Sequence, residues 1–172
     1  MSDIIDHIKS HCRDGLLFPV DPWVPGDPIV RGLYVSAEIY SMLEGEHKNV
    51  LQEQQWESAR AIMDNYVSGR IMSVGDKDKK RPMSLLTPAD DGVWSMRASD
   101  PKPGIRILGY FAEKDLFIAL TWEERLTLGM KFSFAWRRLI KSCKAEWRKL
   151  FYPYQPIQGG NYDEYISNII TN

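Results

Sequence analysis

Three strand-like runs crowd into the stretch from Val93 to Thr121, and they constrain the fold more than any other feature. VWSMR (93–97) and IRILGYF (105–111) alternate between two sets of side chains, whereas LFIALT (116–121) is nearly all apolar. Alternation at period two places successive side chains on opposite faces of a sheet. An unbroken apolar run suits a central strand covered on both faces. The separators, DPKPG at 100–104 and EKD at 113–115, are too short for a helical crossover, so the runs must pair antiparallel. Such a sheet needs helices to cover it, and the flanking sequence supplies them.

Upstream, Ile29–Val35 reads as a further strand. Ser36 is placed to cap a helix with Ile39, Tyr40 and Leu43 on one face. A longer helix is expected over roughly 48–68, with Trp56, Ala59, Ile62, Met63, Tyr66 and Val67 as its buried stripe and Gly69 after its end. Together these two form a helical hairpin. Residues 70–91 carry mixed charge, Pro82 and Pro88, and read as a long surface loop. Downstream, Trp136, Leu139, Ile140, Cys143, Trp147, Leu150 and Phe151 recur at helical spacing over 133–151. Asn161 and Glu164 suggest a capped final helix with Tyr165, Ile166, Ile169 and Ile170 on its face.

The fold class is therefore α+β: a small antiparallel or mixed sheet with a helical hairpin on one face. Residues 29–151 are expected to form one domain that includes the helix at 133–151. Residues 1–28 form an N-terminal extension, a short helix with Ile4, Ile5, Ile8 and Cys12 on one face followed by the proline-rich connector PVDPWVPGDP. Residues 152–172 form a C-terminal tail with its short helix.

Charge separates two parts of the chain. Net charge is -1, which excludes a uniformly basic coat. Yet residues 1–69 carry eleven acids against five bases, and residues 131–149 carry seven bases against Glu146 alone. Lys131 precedes the last long helix, and Arg137, Lys141, Lys144 and Arg148 fall on it opposite the apolar stripe. Such a row faces solvent or a phosphate backbone. Lys79, Lys80 and Arg81, in the loop, are further candidates for phosphate contact. The acidic segment is a candidate cover for the basic one, within the chain or from a second copy in a homodimer.

Signals for other chemistries are missing from the sequence. It holds no phosphate-binding glycine loop, dinucleotide fingerprint, nucleophile elbow or paired-cysteine site, so no cofactor is expected. Asp3, His7 and His11 fall in one line on the first helix, but with no fourth ligand they read as a solvated polar flank, and no metal is expected. No run of ~18 apolar residues suggests a membrane span. Two distant cysteines, Cys12 and Cys143, and a start without a basic-then-apolar leader fit the cytoplasm.

The strand segment GVWSMR…GIRILGYF…DLFIALT, over 92–121, resembles the RelE/HigB/ParE superfamily of toxins: an aromatic and an arginine on one strand, an arginine and an aromatic on the next, a short acidic hairpin and an apolar strand. The resemblance covers roughly 29–125 and implies a RelE-like fold. RelE- and HigB-type members cut messenger RNA, usually on the ribosome, so it also implies a metal-independent endoribonuclease and an antitoxin partner. The chemistry is attack of a ribose 2′-hydroxyl on the adjacent phosphate, whose transition state gathers charge on the non-bridging oxygens. Guanidinium groups fixed on a sheet suit that charge. By position, Arg97 and Arg106 match the strand arginines of the family, and Arg125 the basic residue after the last strand. ParE-type members keep this fold without cleaving RNA. A second reading is therefore a non-catalytic interaction or regulatory protein, of phage or mobile-element type, that binds a protein partner.

Overall fold

The computed structural model describes residues 3–75 and 81–171. Helix α1 (Asp3–Arg13) leads into β1 (Leu17–Pro19) and β2 (Gly32–Ser36). Helices α2 (Ala37–Leu43) and α3 (Val50–Val67) form the expected hairpin, followed by β3 (Met72–Ser73) and β4 (Met83–Leu85). The meander comprises β5 (Val93–Ala98), β6 (Ile105–Glu113) and β7 (Leu116–Glu124). A single turn, α4 (Arg125–Leu128), then precedes α5 (Phe134–Phe151), and β8 (Ile169–Ile170) lies near the end.

The fold is α+β, with a six-stranded mixed sheet in the order β1-β2-β7-β6-β5-β4. β2 runs parallel to β7, and the other neighbours in this sheet are antiparallel. The apolar run of β7 thus sits between β2 and β6, the central place its composition called for. β3 and β8 form a separate parallel pair.

Side-chain oxygens set the helix starts. Ser36 Oγ accepts the Ile39 amide at 3.3 Å, Asn49 Oδ1 the Gln52 amide at 2.8 Å, and Ser133 Oγ the Trp136 amide at 3.2 Å. The β6–β7 turn places Asp115 at φ 61°, in the left-handed region. Its carboxylate accepts the Ser167 amide (2.8 Å) and hydroxyl (2.7 Å), which ties the turn to the C-terminal segment.

Apolar cores lie on both faces of the sheet. On the hairpin face, Trp56, Ala59, Met63 and Tyr66 of α3 pack on Trp94, Met96, Ile107, Phe111 and Phe117. On the other, Ile4 and Ile8 of α1 and Cys143, Trp147, Leu150 and Phe151 of α5 cover Val93, Leu108, Tyr110, Ile118 and Leu120. His7 and His11 pack beside Tyr154 and Phe151, and His11 Nε2 lies 2.6 Å from the Leu150 carbonyl oxygen. No described helix is long and apolar enough to cross a membrane.

Three expectations need correction. The strand expected from Ile29 starts at Gly32, because the Val30 and Arg31 amides both turn to the Val67 carbonyl. The stretch from 70 to 91 holds β3 and β4, whose neighbourhood buries Met72, Val74, Met83 and Leu85. The final helix is a single 3-10 turn, Tyr162–Glu164, before β8. Arg31 explains that last difference. Its guanidinium, 1% exposed, donates to the carbonyls of Tyr66 (2.9 Å), Arg70 (3.0 Å) and Ser167 (2.8 Å), and lies 3.7 Å from Asp115. It holds the chain around Ser167 in a bend, with Asn168 at φ 55°, rather than in a helix. On the sheet face away from the hairpin, α1 and α5 cover all but one end.

Candidate functional site: a cationic cavity between the sheet and α5

The register of the sheet builds the site. Arg97 and Arg106 are direct partners across β5 and β6, so their side chains share a face. Apolar residues of the hairpin core flank each of them, Met96 and Ala98 on one strand and Ile105 and Ile107 on the next, which turns both arginines toward the α5 side. That face is graded. The row Val93, Tyr110, Ile118 lies under α1 and α5; the next row is Ser84, Ser95, Leu108, Thr121; the row after that is Arg97, Arg106, Glu123.

Helix α5 follows the same gradient. Its fully buried residues, Cys143, Trp147, Leu150 and Phe151, all lie in its C-terminal half. Trp136 and Ile140, nearer the start, are only partly buried and form a wall of a cavity of about 400 Å³. Arg97, Arg106, Arg125, Lys131 and Arg137 line this cavity, together with Ser84, Leu85, Leu86, Thr87 and Phe132. Among the described residues, none that lines the cavity is acidic.

Five cations surround the cavity, and Arg106 is the most enclosed of them. This side chain is 8% exposed and donates from Nη1 to its neighbour Ile105's carbonyl at 2.9 Å. Burial, then the charges of Arg97 and Arg125, push its pKa down to about 10. Among the described residues Arg106, Arg125, Lys131 and Arg137 form no ion pair. Glu123 is opposite Arg106 in register, yet its carboxylate accepts the Glu124 amide at 2.8 Å. Arg125 is steadied by the Gly129 carbonyl at 2.7 Å. Ser84, 1% exposed, lines the cavity, and its hydroxyl has no hydrogen-bond partner among the described residues. An anion in the cavity would meet the charges of Arg106, Arg125, Lys131 and Arg137, which no described carboxylate pairs.

The three arginines proposed from sequence thus come together, with Lys131 and Arg137 beside them. Lys141, Lys144 and Arg148 do not enter the cavity. They are exposed on the outer face of α5, around a shallow hollow with Lys149 and Tyr152. Arg81 is a correction. It is buried and donates to the Ser73 hydroxyl (3.3 Å), the Val74 carbonyl and the Ile170 carbonyl (3.2 Å), so it braces β3 and β8 rather than facing a phosphate. Lys79 and Lys80 lie outside the described residues. Sequence reasoning missed Ser84, Phe132 and Trp136 as site residues. Only Phe132 left a signal, as an aromatic stranded between Gly129 and the cap Ser133.

No family model, curated protein or solved structure matches this chain.

Proposed function

We propose that the chain is a RelE/HigB-like toxin-type protein that engages RNA, with the cationic cavity as its phosphate site. The observation that carries this reading is the meeting of Arg97, Arg106 and Arg125, from three separate segments, on one half-enclosed face. Guanidinium groups in a partly desolvated site grip phosphate with paired donors, and they are worth more there than in water. In the endoribonuclease form of the reading, these groups stabilise the charge that develops when a 2′-hydroxyl attacks its neighbouring phosphate.

A second reading is supported by Leu126, Met130, Phe132 and Phe134, large apolar side chains exposed beside the cavity. Apolar surface of this kind suits a protein partner. In that case the basic face serves binding without cleavage.

Induced expression and a labelled-RNA assay decide between them. The toxin reading expects growth arrest, RNA fragments ending in 2′,3′-cyclic phosphate, and loss of both in Arg106→Ala and Arg125→Ala. RNA binding should also weaken steeply with salt. Changing Lys141 and Lys144 to Glu should lower the slope of log affinity against log salt by about 2 and weaken all sequences alike. RNA binding without cleavage favours the non-catalytic reading, and absence of RNA binding at low salt refutes the RNA site.

A further inference from the structure

We propose that the cavity is a single-nucleotide site: it takes a nucleoside phosphorylated on both its 5′ and 3′ sides, one phosphate deep against Arg97 and Arg106, the base against Phe132 and Trp136. This rests on the RNA reading above and narrows it. A free nucleoside 3′,5′-bisphosphate and one nucleotide within a strand share this chemistry.

The vertical order of the lining residues carries the argument. Arg106 and Ser84 are nearly sealed, so charge and an unpartnered hydroxyl sit at the floor. Leu85, Leu86, Trp136 and Ile140 form the walls. Lys131, Phe132 and Arg137 are exposed and stand at the mouth. A ligand that fills this space has an anion at its inner end, an apolar or flat body, and a second anion near the opening.

That order sorts the ligand classes. An orthophosphate satisfies the floor and leaves most of the cavity empty; the volume, about 400 Å³, is that of a small-molecule site. A fatty acid carries one charged end and keeps its chain in the dry interior, whereas here the interior end is charged. A nucleotide phosphorylated on both sides has the required sequence of groups, and its base has a π-face for an aromatic wall.

Phe132 adds a second kind of observation. It is 61% exposed and sits at φ 64°, a left-handed conformation that is strained for a non-glycine residue. Its ring is 5.2 Å from the Lys131 ammonium. The ring is therefore held at the mouth, beside a cation, at the expense of backbone comfort and apolar burial. A base stacked on it would restore the lost contact.

The full chain is titrated calorimetrically at low salt with adenosine 3′,5′-bisphosphate, inorganic pyrophosphate, ribose 5-phosphate and an RNA hexamer. The bisphosphate should bind at least about tenfold tighter than pyrophosphate or ribose 5-phosphate, the size of one base–aromatic stack. Phe132→Ala should shrink that ratio several-fold, and Arg106→Met should remove binding of all four. Because Arg106 is buried, the exposed Lys131→Ala and Arg137→Ala serve as a second pair, and each should weaken the bisphosphate more than ribose 5-phosphate. A hexamer tighter than the bisphosphate points to a strand as the source and the reverse to a free nucleotide; both support the site. Equal affinity for bisphosphate and pyrophosphate, or a ratio unmoved by Phe132→Ala, overturns it. A hexamer that binds through Arg106 while the bisphosphate does not bind overturns the single-nucleotide site and leaves the RNA reading standing. Failure of both removes both.

Discussion

Replacing Arg106 with methionine should make the protein more stable while abolishing its anion binding. The side chain is 8% exposed among like charges, and its pKa is pushed down to about 10 by burial, Arg97 and Arg125. A depression of about two to three decades, at ~1.4 kcal/mol per decade, means the charged form costs the fold about 3 kcal/mol. Methionine fills similar space without charge, and loses one hydrogen bond to the Ile105 carbonyl, worth about 1 kcal/mol. The net gain is about 2 kcal/mol, or roughly 4–8 °C in Tm for a chain of this size. The sign of the pH dependence follows from a base whose folded pKa is depressed. The destabilisation is fully present below about pH 10 and is relieved above it, as the folded protein releases the proton while the unfolded chain still holds it. The gap between variant and parent should therefore be constant near neutrality and narrow beyond pH 10. Calorimetry in a weakly binding buffer, with and without pyrophosphate, measures it. At a hundredfold excess over Kd, pyrophosphate should stabilise the parent by about 2.7 kcal/mol and leave the variant unmoved. A variant less stable than its parent, or one that pyrophosphate stabilises equally, would refute the reasoning that this cluster is a strained anion receptor.

Two further outcomes test the frame that holds the site. A Cβ at Gly109 would strike the Ile118 carbonyl oxygen and come within 2.8 Å of Phe117 Cζ and 2.9 Å of Ala119 Cα, so Gly109→Ala should cost about 3 kcal/mol or more by urea unfolding; a loss below about 1 kcal/mol would contradict the tight β6–β7 pairing there. Removing residues 161–172 strips Tyr165 and Ile166, both fully buried, and takes the Ser167 partners from Asp115 and Arg31, so about 4–6 kcal/mol should disappear; an unchanged melting curve would show that segment to be dispensable.

How much of this was legible in the sequence varies with the range of the interaction. The meander was legible because period-two alternation is local, but that Arg97 and Arg106 share a face follows from the β5–β6 register, which alternation within each strand does not give. The cap at Ser36 was legible for the same reason. The tail was not. Ile169 and Ile170 have helical spacing with Tyr165 and Ile166, but Arg31, far away in the chain, takes the Ser167 carbonyl that a helix would need. The cavity was half legible. Its arginines announced themselves, but its enclosure depends on where α5 lifts from the sheet, and Ser84 belongs to an edge strand hidden in a stretch that reads as loop. Arg81 looked like its neighbours Lys79 and Lys80, and only its distant carbonyl partners separate it from a surface charge.

The place of Arg31 also dictates when the molecule can finish folding. Its partners come from α3, from the β6–β7 turn and from Ser167, so they span nearly the whole chain. Likewise β2, early in the sequence, closes its parallel ladder only when β7 arrives. Contacts of such long sequence separation form late and slow the search for the native state. During synthesis β2 and the buried guanidinium just before it must wait until β7 and then Ser167 have left the ribosome, with apolar surface uncovered in the meantime. The sheet that carries the arginines thus becomes fully secured only once Ser167 has emerged and reached Arg31.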